Sequence, residues 1–298
     1  MSKNKHMKNH KQKTVKRIVL ALGISLGLIY VFYNYYSYQK NDNLEVSFID
    51  VGQGDGIFIK TPDKHQIIID FGSVQGMNDL NKLIPWWNKK IDLIIITHPH
   101  DDHIIGLIQI IKNYKIKNIL YTGIVGDSPA YLELLEEIEK KKIPILIPQK
   151  NQSIKLGNNC DLNILFPWES LLNKETDNLN NSSIISQLNC QNSKFLFMGD
   201  AEIKVENKLL EKGLDLKSDV LKVGHHGSIT SSQQEFLEKV SPKIAIIMVG
   251  KNNKFNHPSS RVLKRLERIK TKTFRTDLDG TITIISDGKN IYRKANQK

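Results

Sequence analysis

Three histidines and two aspartates fall within six residues of the segment ITHPHDDHIIG, directly after an apolar run. His98 and His100 are two residues apart where the run ends, and Asp102 and His103 begin the next, helix-like segment. Imidazole and carboxylate groups at this spacing can converge on a divalent cation, because the loop turns back over the end of the strand. The segment therefore predicts a metal site.

Partners for this segment occur at the ends of three other predicted strands. Asp70 ends the run QIIID, Asp200 ends FLFMGD, and His225 and His226 follow SDVLKVG. A solvated loop could hold the first segment by accident, but an accident would not also supply these partners. The predicted site therefore draws on distant parts of the chain.

The order of these motifs resembles the metallo-beta-lactamase superfamily. The finer match is to the extracellular hydrolase domain of ComEC-type DNA-uptake competence proteins and its stand-alone relatives. It is carried by FIDVGQGDG, THPHDDHIIGL, NNSSI, FMGDAE, LKVGHHGS and HPSSRVLKRL, and it runs from about Glu45 to the closing strands. The resemblance implies an α/β fold, a four-layer αββα sandwich, with the site at the shared edge of two sheets.

The resemblance also implies two divalent metal ions, Zn²⁺ or Mn²⁺. The implied ligands are His98, His100, Asp102, His103, Asp200 and His225. Asp200 would bridge the two ions, and Asp70 would orient the ligand loop. A typical family member supplies a further histidine from the middle of the chain, whereas here the nearest substitute is Asn181 in the NNSSI motif. This weaker ligand set suits Mn²⁺ as well as Zn²⁺.

The implied reaction is hydrolysis of a phosphodiester. A pair of divalent ions lowers the pKa of a water molecule and holds it for in-line attack. Asp102 would orient the attacking oxygen, and His226 or His257 would neutralise the phosphate or protonate the leaving oxygen.

The roles of several residues stay open. Adjacent side chains on extended backbone point to opposite sides, so we assign His225 to the metal and leave His226 as a catalytic or hydrogen-bonded loop residue. His257 is either a substrate contact or a histidine that only precedes a helix. Asp55, in a glycine-rich loop without the lysine of a phosphate-binding loop, and Ser228 are expected to support the ligands or contact the substrate.

The first 40 residues differ in charge from the rest of the chain. They carry seven Lys and one Arg without an acidic residue, against 35 basic and 31 acidic residues in the remainder. The uncharged run 18–33 and the tyrosines that follow it favour a membrane anchor, although the run is shorter than the roughly 20 residues of a full span. A cleaved signal segment with a secreted domain, or a buried core helix, are the alternatives.

These features predict four regions. They are a basic cytoplasmic tail over 1–17, a transmembrane anchor over 18–38, a linker over 39–44 and a hydrolase domain over 45–298. By the positive-inside rule the amino terminus stays in the cytoplasm, and the hydrolase domain faces the outside of the cell membrane.

After the linker, predicted strands alternate with amphipathic helices, a pattern typical of an α/β domain. Helices are predicted over 80–90, 104–114, 129–142, 202–213, 232–240 and 259–269. The basic run 261–275 is either a solvated helix face or a track for a polyanion. Cys160 and Cys190 could form one disulfide in an exported chain or remain free, partly buried thiols.

Three classes of function remain open at this point. The first is a membrane-anchored phosphodiesterase or nuclease linked to DNA uptake. The second is an esterase for a phosphorylated cell-wall polymer or small molecule, and the third is a DNA-binding receptor without catalysis. A nuclease should depend steeply on salt through its phosphate contacts, which separates it from an enzyme for small esters. Membrane translocation of DNA is not predicted, because the chain offers one membrane span at most.

Overall fold

The computed structural model describes residues 2–149 and 151–295, apart from the side chains of residues 2–6 and 8–15. Met1 of the predicted tail, and Lys150 and residues 296–298 of the predicted hydrolase domain, lie outside that description. The chain forms two compact units, Met1–Asp42 and Asn43–Lys298.

The first unit is one helix, α1, over Ser2–Lys40. Its segment Lys16–Lys40 is long and apolar enough to cross a membrane. Large apolar side chains such as Leu26 and Phe32 are 66% and 70% exposed, which is costly in water and favourable in lipid. This helix is a candidate membrane span at the place where the sequence predicts one.

The second unit contains strands and helices in alternation. The strands are β1 (Leu44–Phe48), β2 (Gly56–Lys60), β3 (Gln66–Phe71), β4 (Lys90–Ile91), β5 (Leu93–Ile96), β6 (Lys115–Ile116), β7 (Ile119–Tyr121), β8 (Ile145–Leu146), β9 (Ser153–Lys155), β10 (Cys160–Phe166), β11 (Ile185–Cys190), β12 (Ser193–Phe197), β13 (Val220–Lys222), β14 (Ile244–Ile247), β15 (Lys272–Arg275), β16 (Ile282–Ser286) and β17 (Ile291–Arg293). The helices are α2 (Met77–Leu83), α3 (Asp101–Asn113), α4 (Pro129–Lys140), α5 (Ile203–Glu211), α6 (Gln234–Val240), α7 (Ser260–Arg268) and α8 (Thr276–Asp279). Short 3₁₀ turns lie at Val74–Gly76, Leu179–Ser182 and Gly224–Gly227.

The strands build two large sheets. The first has the order β17-β16-β1-β2-β3-β5-β7-β8, and the second has the order β15-β14-β13-β12-β11-β10-β9. Strands β3, β5, β7 and β8 are parallel neighbours, as are β12, β13, β14 and β15. Each sheet therefore combines a hairpin half with a parallel half whose crossovers are mostly helical.

Three apolar clusters hold the layers together. One contains residues of both sheets, such as Phe48 and Phe197, and fills the space between them. The second joins the first sheet to helices α3 and α4, and the third joins the second sheet to α5, α6 and α7. Because each sheet is covered by helices on its other face, the layers run αββα, which confirms the predicted fold.

Cys160 and Cys190 form a disulfide between β10 and β11. The two residues are direct cross-strand partners, and both are buried. The sequence leaves open whether these cysteines form a disulfide or remain free thiols, and in the structure they form the disulfide.

Replacing both cysteines with serine should lower the free energy of unfolding by about 2–4 kcal/mol, because the closed loop no longer restricts the unfolded chain. Urea unfolding of the full chain in detergent, followed by tryptophan fluorescence, measures this change. Wild-type protein denatured without reductant should show no titratable thiol; a free pair would contradict the disulfide.

Candidate metal centre

The candidate site lies where both sheets end on one side. Asp70 lies near the end of β3, and the segment 98–103 follows β5, its parallel neighbour. Asp200 follows β12, and His225 and His226 follow β13, again a parallel pair. Because parallel strands present their carboxyl ends at one edge, these residues meet although they are distant in sequence.

His98 and His100 form the first part of the site. His98 is fully buried, and its Nδ1 lies 3.1 Å from Thr97 Oγ1. Its Nε2 lies 3.0 Å from Nδ1 of His100. Burial, together with the positive charge of nearby His103, holds the pKa of His98 well below its usual value. His98 is therefore a neutral imidazole, which is the form that binds a metal.

His103 is oriented by a carboxylate behind it. Its Nδ1 lies 2.8 Å from Asp70 Oδ2, and Asp70 in turn accepts hydrogen bonds from the backbone N–H and the hydroxyl of Thr97. This arrangement turns Nε2 of His103 toward Asp200, 3.3 Å away. Burial opposes a charge on His103, but Asp200 and Asp70 outweigh it and raise the pKa of the imidazole. Asp70 thus lies where a residue that orients a ligand should lie.

His226 completes the second part of the site. Its Nδ1 donates a hydrogen bond of 2.8 Å to the carbonyl oxygen of Met248, which fixes the ring. Its Nε2 lies 3.2 Å from Asp200 Oδ2 and 3.4 Å from Asp102 Oδ2. Burial works against a charge here too, but Asp200 and Asp102 raise the pKa of His226. The site thus attracts positive charge.

His225 points elsewhere. Its Nε2 lies 3.3 Å from Asn180 Nδ2, and its Nδ1 lies 3.2 Å from Thr230 Oγ1. Both His225 and His226 have left-handed backbone, with φ of 46° and 51°, so the extended backbone on which the sequence-based choice depends is not formed. The structure brings His226 to Asp102 and Asp200, whereas Nδ1 of His225 lies 3.4 Å from Glu202 Oε1.

Among the described residues, four overlapping groups of His and Asp side chains have ligand atoms within 4.8 Å of one another. They are His98, His103 and Asp200; Asp102, His103 and His226; Asp55, Asp200 and His226; and Asp55, Asp70 and His103. Nε2 of His103 and His226 and Oδ1 of Asp200 are buried without a hydrogen bond in the described part of the chain. Such atoms are costly unless a ligand satisfies them, so the donor set fits divalent cations.

Lys222 is a functional candidate that sequence reasoning missed. Its ammonium group is fully buried, pairs with Asp55, donates to the carbonyl oxygen of Gly199 at 2.8 Å, and lies 3.6 Å from Asp200 Oδ1. Burial alone would lower the pKa of Lys222, but Asp55 and Asp200 raise it and keep the group charged. The available signal was a lysine at the end of the apolar strand β13, three residues before His225.

Two glycines allow the loops of the site to lie close to helix α3. A Cβ on Gly54 would lie 2.0 Å from the carbonyl oxygen of Asp102, and a Cβ on Gly72 would lie 1.8 Å from it. The N–H of Asp55 also donates to this oxygen, at 3.2 Å. The loops after β1 and β3 can therefore approach the first turn of α3 only with glycine at these positions.

The cluster opens into a cleft of about 430 Å³. Its walls include Asp102, His225 and His257, and the rings of His225 and His257 lie 5.6 Å apart. Asn181 instead contacts Glu202, and the hydroxyl of Ser228 lies 3.0 Å from that of Thr230, so neither of these predicted residues joins the cluster. Asn180, which sequence reasoning passed over, lines the cleft in place of Asn181.

The family model of the metallo-beta-lactamase superfamily matches residues 49–251. The chain belongs to the metallo-beta-lactamase superfamily. This superfamily match covers the strand ends that carry Asp70, the segment 98–103, Asp200 and His226. Together with the His and Asp groups it supports a hydrolase that binds divalent metal ions.

Relatives of this superfamily member include competence proteins. The chain is 27% identical over 289 residues to ComE operon protein 3 of Bacillus subtilis, covering 91% of this chain and 36% of the relative. It is 27% identical over 270 residues to competence protein ComA of Neisseria gonorrhoeae, covering 88% and 36%. The predicted resemblance is confirmed, and the chain spans about a third of the length of these relatives.

Solved structures of other proteins have a fold similar to that of this chain. Igni18, a metallo hydrolase from Ignicoccus hospitalis, superposes with a TM-score of 0.52 at 15% identity, covering 81% of this chain and 98% of that one. CmlA, a diiron beta-hydroxylase from Streptomyces venezuelae, gives 0.51 at 13% identity, covering 80% and 53%. At such identities these likenesses show the fold.

Proposed function

We propose that this metallo-beta-lactamase superfamily member is a metal-dependent phosphodiesterase that cleaves DNA outside the cell membrane. The observation that carries the proposal is the set of buried, unsatisfied nitrogen and oxygen atoms of His103, His226 and Asp200 at the floor of an open cleft. Phosphodiester cleavage needs two things at such a floor, a cation that withdraws charge and an oxygen positioned for attack.

We assign Asp200 to two neighbouring ligand sets. The first would contain His98, which forms a close group with Asp200 and His103, and also His100, whose Nδ1 lies 3.0 Å from Nε2 of His98. The second would contain Asp102, His103 and His226, and Nε2 of the two histidines lies 3.3 and 3.2 Å from Asp200 Oδ2. This choice places His226 where the sequence-based assignment has His225. Divalent ions bound there would supply Lewis acidity and lower the pKa of water. The mixed imidazole and carboxylate donors accept Zn²⁺ and Mn²⁺.

The remaining side chains act on the substrate. Asp102, about a third exposed, lines the cleft and orients the attacking water. His257, half-buried in the lining of the cleft, donates a proton to the leaving oxygen. Burial and the neighbouring His225 lower its pKa, and the negative charge of a bound phosphate would favour the protonated form that acts as the acid. His225 and Asn180, which line the cleft side by side, contact the phosphate.

The location outside the membrane rests on two features. The candidate span Lys16–Lys40 follows a lysine-rich segment, which the positive-inside rule keeps in the cytoplasm. The Cys160–Cys190 disulfide persists in oxidising surroundings. Competence-protein relatives make DNA uptake the process to test first.

Purified full chain in detergent, stripped of metal and then given Mn²⁺ or Zn²⁺, should hydrolyse both single-stranded DNA and bis-p-nitrophenyl phosphate. The Asp200→Ala variant should hydrolyse neither, because it loses the carboxylate that both ligand sets share. Release of p-nitrophenol and gel electrophoresis of the DNA measure the two reactions.

Ser241→Ala is the matched control, since Ser241 directly follows α6 and is absent from the described lining of the cleft. It should retain both activities. Turnover of neither substrate by metal-loaded wild type would refute a phosphodiesterase and favour a binding protein or a cell-wall phosphoesterase. DNA cleavage with a shallow salt dependence would argue against extended phosphate contacts.

A further inference from the structure

One wall of the cleft is a loop that the reaction proposed above uses only through His257. The loop runs over 248–259, between β14 and α7, and contains the sequence KNNKFNH at 251–257. Phe255 lies in this loop, lines the cleft and is 51% exposed. A large exposed ring at the mouth of a polar site offers a face on which part of a substrate can stack.

The loop is held in one conformation. The side-chain amide of Asn253 donates to the carbonyl oxygens of Gly250 and His257, and its oxygen accepts from the N–H groups of Phe255 and His257. The N–H of Gly250 also donates to Gln53 Oε1 on the neighbouring loop, at 3.1 Å. Phe255 is therefore presented to the cleft at little further cost in entropy.

The ring of Phe255 stands beside a candidate catalytic group. It is stacked on the imidazole of His257, with ring centroids 5.8 Å apart and an angle of 23° between the planes. A substrate whose phosphate reached His257 would therefore have its next unit over or beside Phe255.

The charge of the loop favours an anionic substrate. Lys251 and Lys254 are exposed, and the segment 250–258 contains no acidic residue. The ammonium of Lys254 lies 5.3 Å from the centre of the Phe255 ring. By contrast, the basic run 261–275 is partly engaged within the protein: Arg265 donates to the carbonyl oxygens of Ser231 and Ser232, and Arg275 pairs with Asp277. Exposed charge thus lies next to the exposed ring.

We propose that Phe255 is a stacking platform for an unpaired nucleobase, and that the cleft takes single-stranded nucleic acid with the adjacent phosphates held by Lys251 and Lys254. Aromatic side chains interleaved with lysines bind single strands in this way, because every base has a stacking face and every linkage a negative charge. Bases within a duplex are already stacked and cannot reach the ring. This inference rests on the proposed function, which supplies the phosphodiester substrate. It adds that Phe255 selects single-stranded over double-stranded nucleic acid.

Phe255→Ala should weaken binding of a single-stranded oligodeoxynucleotide by about tenfold. For an abasic oligonucleotide of equal length and for the duplex, the affinity of the variant should stay within about twofold of the wild-type affinity, which is roughly the error of the assay. Fluorescence anisotropy on the full chain in detergent, with Ca²⁺ as a non-catalytic divalent ion, measures the three affinities. Phe255→Trp should keep the wild-type pattern, because the larger ring still stacks.

Trp86→Ala is the control, since Trp86 is 68% exposed but is absent from the described lining of the cleft. It should alter none of the three affinities. Equal losses with the normal and abasic strands, or no loss with either, would overturn the stacking platform. Failure of wild type to cleave any phosphodiester would overturn the proposed function instead, and the two failures are separable because the binding assay needs no turnover.

Discussion

His226→Ala should reduce the affinity for Mn²⁺ or Zn²⁺ by more than the roughly 10- to 100-fold that loss of an outer partner of a metal ligand costs. The expected reason is geometric. Nε2 of His226 is buried, lies close to both Asp200 and Asp102, and has no hydrogen bond in the described part of the chain. Isothermal titration of the metal-stripped full chain measures the affinity and the number of ions bound.

The neighbouring residue supplies the matched control. His225→Ala should retain both ions with nearly unchanged affinity, because its nitrogens face Asn180 and Thr230. We expect this variant to bind substrate more weakly while its metal content stays at the wild-type level. Loss of an ion in His225→Ala, with both ions kept in His226→Ala, would restore the assignment that the sequence favours.

Lys222→Met should lower the free energy of unfolding by about 3–5 kcal/mol in the presence of EDTA, because it leaves buried carboxylates without their countercharge. The ammonium group is the buried cation nearest to Asp55, and it also approaches Asp200. Saturating Mn²⁺ should reduce the difference from wild type, since an added cation neutralises the same carboxylates. Urea unfolding followed by fluorescence measures both conditions, and all three tryptophans, Trp86, Trp87 and Trp168, lie in the second unit.

Lys60→Met is the comparison for this effect. Lys60 pairs with Glu45 at 2.5 Å, and both side chains are 9% exposed, but neither belongs to a candidate metal group. Its loss should destabilise the protein equally with and without Mn²⁺. A cost for Lys222→Met that stays the same in EDTA and in Mn²⁺ would show that the lysine acts only in folding. Combining Lys222→Met with Asp55→Asn should recover part of the stability, because the unpaired charge of Asp55 is then removed.

The edge of the fold that carries the site could be predicted because polar residues follow apolar runs. The apolar run that ends at Ile96 indicated a buried strand, and the histidines and aspartates after it had to emerge where that strand ends. Helix α3 was also recognisable from its spacing, although it begins at Asp101, three residues before the predicted start. Periodicity identifies an element better than it identifies its ends.

Some local structure could not be read from periodicity. The predicted helix over 80–90 lies instead at Met77–Leu83, and Ile84 is extended. Pro85 explains the difference, because proline disfavours helical backbone in the residue before it. The same proline was visible in the sequence and should have ended the predicted helix.

The geometry within the site could not be predicted from sequence for a different reason. Which of His225 and His226 faces Asp200 depends on two successive left-handed residues, a conformation that non-glycine residues adopt rarely. The contact of Lys222 with Asp55 joins β13 to the loop after β1, 167 residues apart in sequence, and no local pattern encodes such a pair. Long-range contacts of this kind emerge only once the two sheets are placed together.

The division of the ligands between the sheets has a consequence for the order of events in folding. The elements of the first sheet carry Asp70, His98 and Asp102, while those of the second carry Asp200 and His226. A chain in which only the first half has folded holds an incomplete set of donors and binds a divalent ion weakly. Tight binding of an ion therefore requires both sheets to be in place, so we expect a chain with only one folded sheet to lack the proposed activity.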